Sequence, residues 1–528
     1  MSELTEHRSH RRRVRRTGRT RPVRRTAIGI AAAVLVLASG SCAGSDSAGE
    51  LQGGSAGGGT QSSSLVVAYR EPLNYDWINS GTTVGSGGPL MLNVVEPLLE
   101  RMEDGSFEPL LAESYEVSAD GREYVFTLRD GVLFHDGSEL TADDVVYSLE
   151  FTKAGNTIAA TPLEVVDAIE KIDESTVKVT LSTPSNVFLL SMARLSGMIF
   201  PEGSGDQIET DPVGTGPYDF AEWRQGIETR LERFDDYWGE APSFENVTWR
   251  FLADDNAAVN AVLAGDIDVI ADLQSFELLE RVEGDAGLRI VESPSEATSL
   301  LWLNANDPVL ADQRVRAAIA HAIDRQEIID GVMAGWSEPQ CVFVDPVSDL
   351  IENESCPYQY DPARATELLD EAGVQDLELE LKYDDRTVNR LFAEVLGAQL
   401  AEVGITLVPR AMDRATWFED VREHGNYQLA PGLLQATATL DGEVACPHHW
   451  TNDCPPDELL ALVDESDATT DRSQMVELRR QALDMHAEWA HWITIARTPG
   501  IAVVRADLRG VKPYRSWVEF DLRGLGWE

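Results

Sequence analysis

The stretch that decides the fold is residues 111–145, which read LAESYEVSADGREYVFTLRDGVLFHDGSELTADDV. Three Asp-Gly dipeptides divide this stretch, and such dipeptides mark tight turns. Between the first two turns, residues 124–128 alternate apolar with more polar side chains, which predicts a half-buried strand in a meander. Thr141 and Asp144 then have the spacing of a capping box and predict a helix through Phe151.

Strands and helices are predicted to alternate over the rest of the chain, and this alternation favours the α/β class. Short β-branched runs predict strands, whereas apolar periodicity between turn residues predicts helices. The predicted elements are strands over 65–69 and 267–270, helices over 90–99 and 257–263, the latter ending at Gly265, and a helix opened by Asp361-Pro362 and closed by Gly373.

Length and charge limit the class of protein. The chain has 528 residues, enough for two large domains or three ordinary ones. It holds 43 basic and 90 acidic side chains, for a formal charge of −47. Residues 1–26 carry a charge of +8, so the remainder carries −55. Because nucleic-acid binders normally show a basic footprint, no nucleic-acid partner is expected.

The N-terminal segment is typical of an exported protein. An Arg-rich run precedes an apolar stretch at 27–38, which is short for a membrane span. We interpret residues 1–41 as a signal peptide, exported by the general or the twin-arginine route. The residues before Cys42 resemble a lipobox, although cleavage beside an incidental cysteine is the alternative. Residues 42–64 are rich in Gly and Ser and predict a flexible linker. We therefore expect an extracytoplasmic protein, lipid-anchored at Cys42 to the outer face of a bacterial membrane.

Four cysteines remain after Cys42, and four cysteines allow three pairings. The local pairing joins Cys341 to Cys356 and Cys446 to Cys454, and an exported chain lies where disulfides persist. A zinc site using the neighbouring histidines is the alternative, but the spacings fit no zinc pattern well.

Five phrases, in order and spacing, resemble the solute-binding proteins of peptide and nickel ABC importers, solute-binding protein family 5. The likeness covers about residues 65–525. The phrases are the stretch quoted above, PVGTGPY at 212–218, DYWG at 236–239 with GDID at 265–268, Asn304 with 312–324, and 360–373.

The resemblance implies a bilobed periplasmic-binding-protein-like fold of type II, in the large peptide-binding class. Lobe I would comprise residues 65–271 and 498–528, with an extra subdomain at about 100–195. Lobe II would comprise residues 272–497. The solute would lie in the cleft between the lobes, which would close around it.

The resemblance also implies a function. The chain would be a monomeric receptor that delivers a peptide or similar small solute to an ABC permease, with no enzyme activity and no cofactor. An oligosaccharide, an opine or a metal chelate is an alternative solute. A surface sensor or, less favoured, a secreted hydrolase is an alternative class of protein.

The candidate ligand-binding residues come from the variable parts of the chain. Arg410 and Arg414 could clamp a carboxylate, and tryptophans could stack on a solute. Gln435 and Asp441 lie in the region matching the family's ammonium-binding phrase, whose tryptophan, first aspartate and proline are missing here, while Asp441 could match its second aspartate. The tryptophan candidates are Trp77, Trp417 and Trp450.

Other charged pairs are interpreted as scaffold. His135-Asp136 resembles a catalytic pair, but a tight turn explains it better. Asp266 and Asp268 are assigned to a turn between helix and strand. Arg314 and Arg316 are predicted to pair with acids such as Asp312 and Asp324.

Overall fold

Parallel and antiparallel strands build a large mixed sheet. The computed structural model describes residues 63–70, 92–102, 106–155, 159–343, 355–434, 440, 444, 454–512 and 520–528. Residues Thr60–Glu528 form one compact unit. Within the described residues the sheet has eleven strands in the order β15-β14-β16-β12-β17-β11-β1-β10-β9-β8, with β13 beside β17. These strands are β1 (Ser64–Tyr69), β8 (Tyr218–Arg224), β9 (Glu228–Arg233), β10 (Asn246–Phe251), β11 (Val269–Ile270), β12 (Leu288–Leu303), β13 (Glu338–Pro339), β14 (Leu377–Asp384), β15 (Ile405–Met412), β16 (Leu429–Leu434) and β17 (Trp492–Arg505).

Two long strands, β12 and β17, connect the two halves of this sheet. They pair antiparallel from Leu288 opposite Arg505 to Trp302 opposite Trp492, with register shifts near Ser293 and Ser299. At one end β17 adjoins β11 and the first half of the sheet, and at the other end β12 adjoins β16 and the second half. Among the described strands, β12 and β17 lie between the first half of the sheet (β11, β1, β10, β9 and β8) and the second half (β16, β14 and β15).

A second sheet belongs to an insertion with its own core. Its order is β4-β5-β7-β6. Alternating residues of β5 are buried, as the sequence predicts, and they pack with the helix Ala142–Ala154 that follows. The strands are β4 (Ala112–Val117), β5 (Glu123–Leu128), β6 (Val166–Asp173) and β7 (Thr176–Leu181). Two-stranded ribbons join β2 (Leu99–Arg101) to β3 (Phe107–Pro109) and β18 (Leu508–Arg509) to β19 (Gly526–Trp527).

Helices cover the sheets, and their ends follow the predicted signals. Thr141 and Asp144 form the predicted capping box, and Gly265 and Gly373 end their helices in the left-handed conformation. Among the described residues, no helix combines the length and apolarity needed to cross a membrane. The helices are α1 (Ala142–Ala154), α2 (Phe188–Met192), α3 (Asp255–Ala264), α4 (Leu279–Glu283), α5 (Gln313–His321), α6 (Arg325–Val332), α7 (Pro362–Ala372), α8 (Thr387–Glu402), α9 (Arg414–Trp417), α10 (Asp457–Ala468) and α11 (Arg472–Trp489), with a π-helical turn at Phe418–Glu423.

The helix predicted over 90–99 is wrong wherever the structure describes it. Leu92 has a positive φ of 64°, and Leu99 begins a strand. The carbonyl groups of Asn93 and Val94 accept hydrogen bonds from Tyr218 and Gly216 instead of from a following helical turn. Tertiary hydrogen bonds therefore replace the helical ones.

The fold class is confirmed as mixed α/β. The lobe boundaries stay a prediction.

Candidate functional site

Strand ends from the first half of the sheet place charged residues at one edge. β1 pairs parallel with both β10 and β11, so their carboxyl ends point the same way. Arg70 follows β1, and Asp272 follows β11. In open α/β sheets, ligands bind in the crevice outside the carboxyl ends of the strands. This edge is therefore the first side of a candidate site.

The two charged groups at this edge are paired and buried. Arg70 Nε lies 3.6 Å from Asp272 Oδ2, and the two side chains are 9% and 5% exposed. Gln274 Nε2 donates to the same Asp272 oxygen over 3.2 Å. The backbone of Gln274 is held in turn by Asp255, which accepts from its N–H. Gln274 is therefore held by Asp272 through its side chain and by Asp255 through its backbone.

The second half of the sheet presents an equivalent edge. β14 pairs parallel with β15 and β16, and Asp384 is the last residue of β14. Arg386 Nε donates to both carboxylate oxygens of Asp384, over 2.8 and 3.0 Å. Asn389 Nδ2 donates over 2.6 Å, and Arg414 Nη1 lies 3.7 Å away. Burial raises the pKa of Asp384, but Arg386, Arg414 and Asn389 outweigh burial and hold that pKa below its usual value.

The two edges are joined by a hydrogen bond between described residues. Arg386 Nη1 donates to Gln274 Oε1 over 3.4 Å. We call Arg70, Asp272, Gln274, Asp384, Arg386 and Arg414 the strand-end cluster. Burial and the charge of Arg70 lower the pKa of Arg386.

The chemistry of the strand-end cluster is that of binding. It holds three guanidinium groups and two carboxylates, which suit bidentate recognition of carboxylates and charge-assisted contact with an ammonium group. Within the described part of the chain, no group of three or more His, Cys, Asp or Glu side chains could hold a metal ion.

The predicted site residues fall into different environments. Arg414 belongs to the strand-end cluster. The side chain of Arg410 is 62% exposed, and its Nε donates to Glu380 over 3.0 Å. Trp417 stacks on Trp302 with ring centroids 6.4 Å apart, and its Nε1 donates to a backbone carbonyl. Four further candidates lie outside the described residues, namely Trp77, Gln435, Asp441 and Trp450. Contact with a solute stays a prediction for all of them.

Most residues of the strand-end cluster were not predicted from the sequence. Arg70 follows directly on a predicted strand, and Asp272 lies just beyond another. Asp384 and Arg386 follow a run, 377–383, that alternates between apolar and polar residues. A search for charged residues at the ends of predicted strands would have found these four residues.

The family-like phrases meet around one buried carboxyl group. Glu96 is fully buried and accepts from Thr215 Oγ1 over 2.9 Å, from Tyr237 OH over 2.9 Å and from Trp238 Nε1 over 2.8 Å. Burial raises the pKa of Glu96 to about 7, although these donors and Arg523 act to lower it. We call these five residues the Glu96 knot.

The turn before β8 packs tightly against the Glu96 knot. A Cβ atom on Gly214 would lie 2.0 Å from the carbonyl oxygen of Val94, so only glycine fits there. His135 Nε2 lies 3.0 Å from the carbonyl oxygen of Gly216, and the N–H of Gly214 donates to His135 Nδ1 over 3.3 Å. His135 therefore holds a turn, in agreement with its interpretation as scaffold.

The other scaffold pairs have structural partners as well. Asp268 Oδ2 accepts from the N–H of Val66 over 2.8 Å and so connects the helix–strand turn to β1. Arg314 pairs with Asp312 over 2.6 Å, as predicted. Arg316 is buried and donates to backbone carbonyl groups, among them that of Leu310 over 2.8 Å.

One predicted disulfide is present. Cys341 and Cys356 are bonded. Cys454 is also disulfide-bonded, whereas its predicted partner Cys446 lies outside the described residues, as does the predicted lipid anchor Cys42.

Comparison with known proteins identifies the family. The model of the bacterial extracellular solute-binding proteins, family 5 Middle, matches residues 106–444. The chain is 30% identical over 414 residues to the glutathione-binding protein GsiB of Pectobacterium atrosepticum, an alignment covering 73% of this chain and 79% of that protein. The chain belongs to this family of solute-binding proteins. As a family 5 protein it is a solute receptor of the ABC-importer type and not an enzyme.

Solved structures agree on the fold of this family 5 protein. The ABC transporter-associated periplasmic binding protein DppA from Helicobacter pylori, in complex with peptide STSA, superimposes with a TM-score of 0.79 at 22% identity and covers 88% of this chain and 98% of its own. The binding protein AgaA from A. tumefaciens R10, in complex with agropinic acid, gives 0.77 at 26% identity, covering 88% and 99%. The predicted fold of type II periplasmic binding proteins is confirmed.

Proposed function

We propose that the protein captures a peptide or a similar small, carboxylate-bearing solute between lobe I (65–271 and 498–528) and lobe II (272–497) and delivers it to an ABC permease. The observation that carries this proposal is the strand-end cluster, in which Arg70 is connected to Arg386 through Asp272 and Gln274. A carboxylate bound there would contact both lobes at once. Such a solute would therefore favour the closed form over the open one.

The named relatives support a solute of this kind. GsiB is named for glutathione, a tripeptide with two carboxylates and one ammonium group. The strand-end cluster holds arginines that suit carboxylates and acids that suit an ammonium group. The chain as a whole is strongly acidic, so the arginines would supply the local attraction that the surface charge does not.

Binding of reduced glutathione, measured by isothermal titration calorimetry, tests this proposal. We expect Arg386→Gln to weaken binding by about 10- to 100-fold, the loss of one or two charge-assisted hydrogen bonds. Arg364→Gln, which removes a partly exposed arginine that pairs with Glu367 and Glu371 on α7, is the matched control and should bind within about twofold of the wild type. Glutathione diethyl ester, which lacks both carboxylates, should bind weakly to every variant.

Other solutes are outcomes of the same test. If glutathione and a set of tripeptides fail to bind while agropinic acid binds, the protein is an opine receptor, the alternative that the AgaA likeness favours. If only uncharged oligosaccharides bind, or if Arg386→Gln leaves affinity unchanged, the strand-end cluster is not the solute site. If solute binds but deletion of the gene leaves its uptake unchanged, the protein is a sensor.

We further propose that the mature protein is a monomer lipidated at Cys42 and held outside the membrane by the linker 42–64. The support is sequence-based: a signal-like segment, a lipobox-like motif and a Gly/Ser-rich linker follow each other in order. Metabolic labelling with a fatty-acid analogue should label the wild type and leave Cys42→Ser unlabelled and released from membranes. Equal labelling of both forms would refute anchoring at this cysteine.

A further inference from the structure

The insertion and the α10–α11 pair touch each other through residues that are not part of the strand-end cluster. Asn186 Nδ2 donates to the backbone carbonyl of Ser466 over 2.7 Å, across 280 positions of sequence. Gly121, in the turn between β4 and β5, lies beside Thr470, in the connection between α10 and α11. Two separate segments of the insertion therefore reach the same helical connection.

The hydrogen bond from Asn186 is made to a carbonyl group in the last turn of α10, where the helix supplies no hydrogen-bond partner. α10 ends at Ala468, and the last four carbonyl groups of a helix have no intrahelical partner. Asn186 supplies an N–H to one of them. Ser466 is fully buried, and its hydroxyl group donates back to the carbonyl of Val463, so its own side chain does not compete for the contact.

The packing at Gly121 is close for a turn. Gly121 has a φ of +68° at the tip of the Asp-Gly turn, yet it is buried. A Cβ atom there would lie 3.3 Å from Cγ2 of Thr470 and 3.5 Å from Cβ of Pro184. Thr470 therefore packs on the turn through its Cγ2 atom, while the rest of the residue is exposed.

The two partners of this contact belong to different halves of the molecule. α10 and α11 share a core with β12 and β16, through residues such as Leu459, Leu300 and Ala430. The insertion shares its core with Leu99 and Ile199, on the side of the first half. Movement of the halves away from each other would separate Asn186 from Ser466.

We propose that Ser118–Arg122 and Leu181–Asn186 of the insertion, together with residues 466–470, form a latch that stabilises the closed form without touching the solute. The latch supplements the Arg386–Gln274 contact and sets how readily the protein closes when empty. It rests on the two-lobe closure in the proposed function, but it is measured without solute, so its failure would leave the assignment of the solute intact.

Hydrogen–deuterium exchange of the solute-free protein tests the latch, because Gly121 on one side and Ser466 on the other are buried while the contact is made. Asn186→Ala and Asn186→Asp each remove the N–H group that donates this hydrogen bond, and the second variant keeps the size of the side chain. Thr183→Ala and Thr183→Asp, at an exposed position of the same loop, are the matched controls. Melting temperatures confirm that each variant is folded.

We expect both latch variants to speed exchange about fivefold in 118–122 and 466–470 together, as one lost hydrogen bond predicts, with a larger radius of gyration in small-angle scattering. The controls should exchange like the wild type. Faster exchange confined to the mutated segment, or no change in either segment, would overturn the latch.

Discussion

Replacing Glu96 with glutamine should remove a pH dependence of stability that this one carboxyl group creates. Its pKa rises from 4.5 to about 7 in the folded protein because burial outweighs three hydrogen-bond donors and Arg523. Between these values the folded protein holds a proton that the unfolded chain releases. The contribution of Glu96 to the free energy of unfolding therefore falls as pH rises from about 4.5 to 7.

The size of the effect follows from the two pKa values. Each pH unit of difference corresponds to about 1.4 kcal/mol, so ionised Glu96 costs the folded protein about 3 kcal/mol above pH 7. Below pH 4.5 the cost vanishes because both states are protonated. Glutamine is close in shape and neutral at every pH, so Glu96→Gln gains about 3 kcal/mol relative to the wild type as pH rises from 4.5 to 7.5.

Urea unfolding of the wild type and Glu96→Gln at several pH values measures this gain. The difference between the two proteins is the informative quantity, because the other carboxylates titrate in both and cancel. Glu170→Gln is the control, because Glu170 is an exposed carboxylate of the insertion that pairs with Lys178 over 3.0 Å, and its loss should change the stability little at neutral pH. A difference between the wild type and Glu96→Gln that stays level with pH would mean that burial does not raise the pKa of Glu96.

Three further changes test the packing, the disulfide and the strand-end cluster. Gly214→Ala should destabilise the protein by about 3 kcal/mol or more, since its Cβ meets a carbonyl oxygen at 2.0 Å, whereas Gly284→Ala, with open space around it, should be nearly neutral in thermal unfolding. Replacing Cys341 and Cys356 by serine opens a loop of 15 residues and should cost about 3 kcal/mol in urea unfolding, with no added effect of reductant on this loop. Asp384→Asn leaves a partly buried arginine without its carboxylate and should cost about 2 kcal/mol of unfolding free energy at pH 7. Because folding lowers the pKa of Asp384 from 3.8, its carboxylate stabilises the folded protein above that pH, and the cost of the substitution disappears as pH falls below it.

The sequence predicted local structure well where the signal is itself local. The Asp-Gly turns appear with positive φ at Gly121, Gly131 and Gly137, and the capping box at Thr141 opens its helix. These features depend on the backbone freedom of glycine and on a side chain that reaches its own helix. Neither needs the rest of the fold, so short patterns suffice.

The failed helix over 90–99 shows where local patterns stop. The segment does have the apolar spacing of a helix. The carbonyl groups of Val94 and Asn93, however, accept hydrogen bonds from the N–H groups of Gly216 and Tyr218, more than 120 positions away. Several such hydrogen bonds, with the buried carboxyl of Glu96 beside them, outweigh the small helix propensity of a ten-residue segment. A pattern confined to the segment carries no information about partners so distant.

The strand-end cluster was not predicted because it too depends on residues that are distant in sequence. Its contrast with the Glu96 knot explains why the solute is harder to infer from sequence than the family. The recognisable phrases supply the knot, where a glycine turn, Tyr237 and Trp238 close around a buried carboxyl group and hold the fold. The cluster instead arises because parallel pairing brings Asp384 and Arg414 to one edge, and β12 with β17 brings that edge to Gln274. Pairing of strands is a property of the whole sheet, so charges at strand ends become a site only after the topology is known.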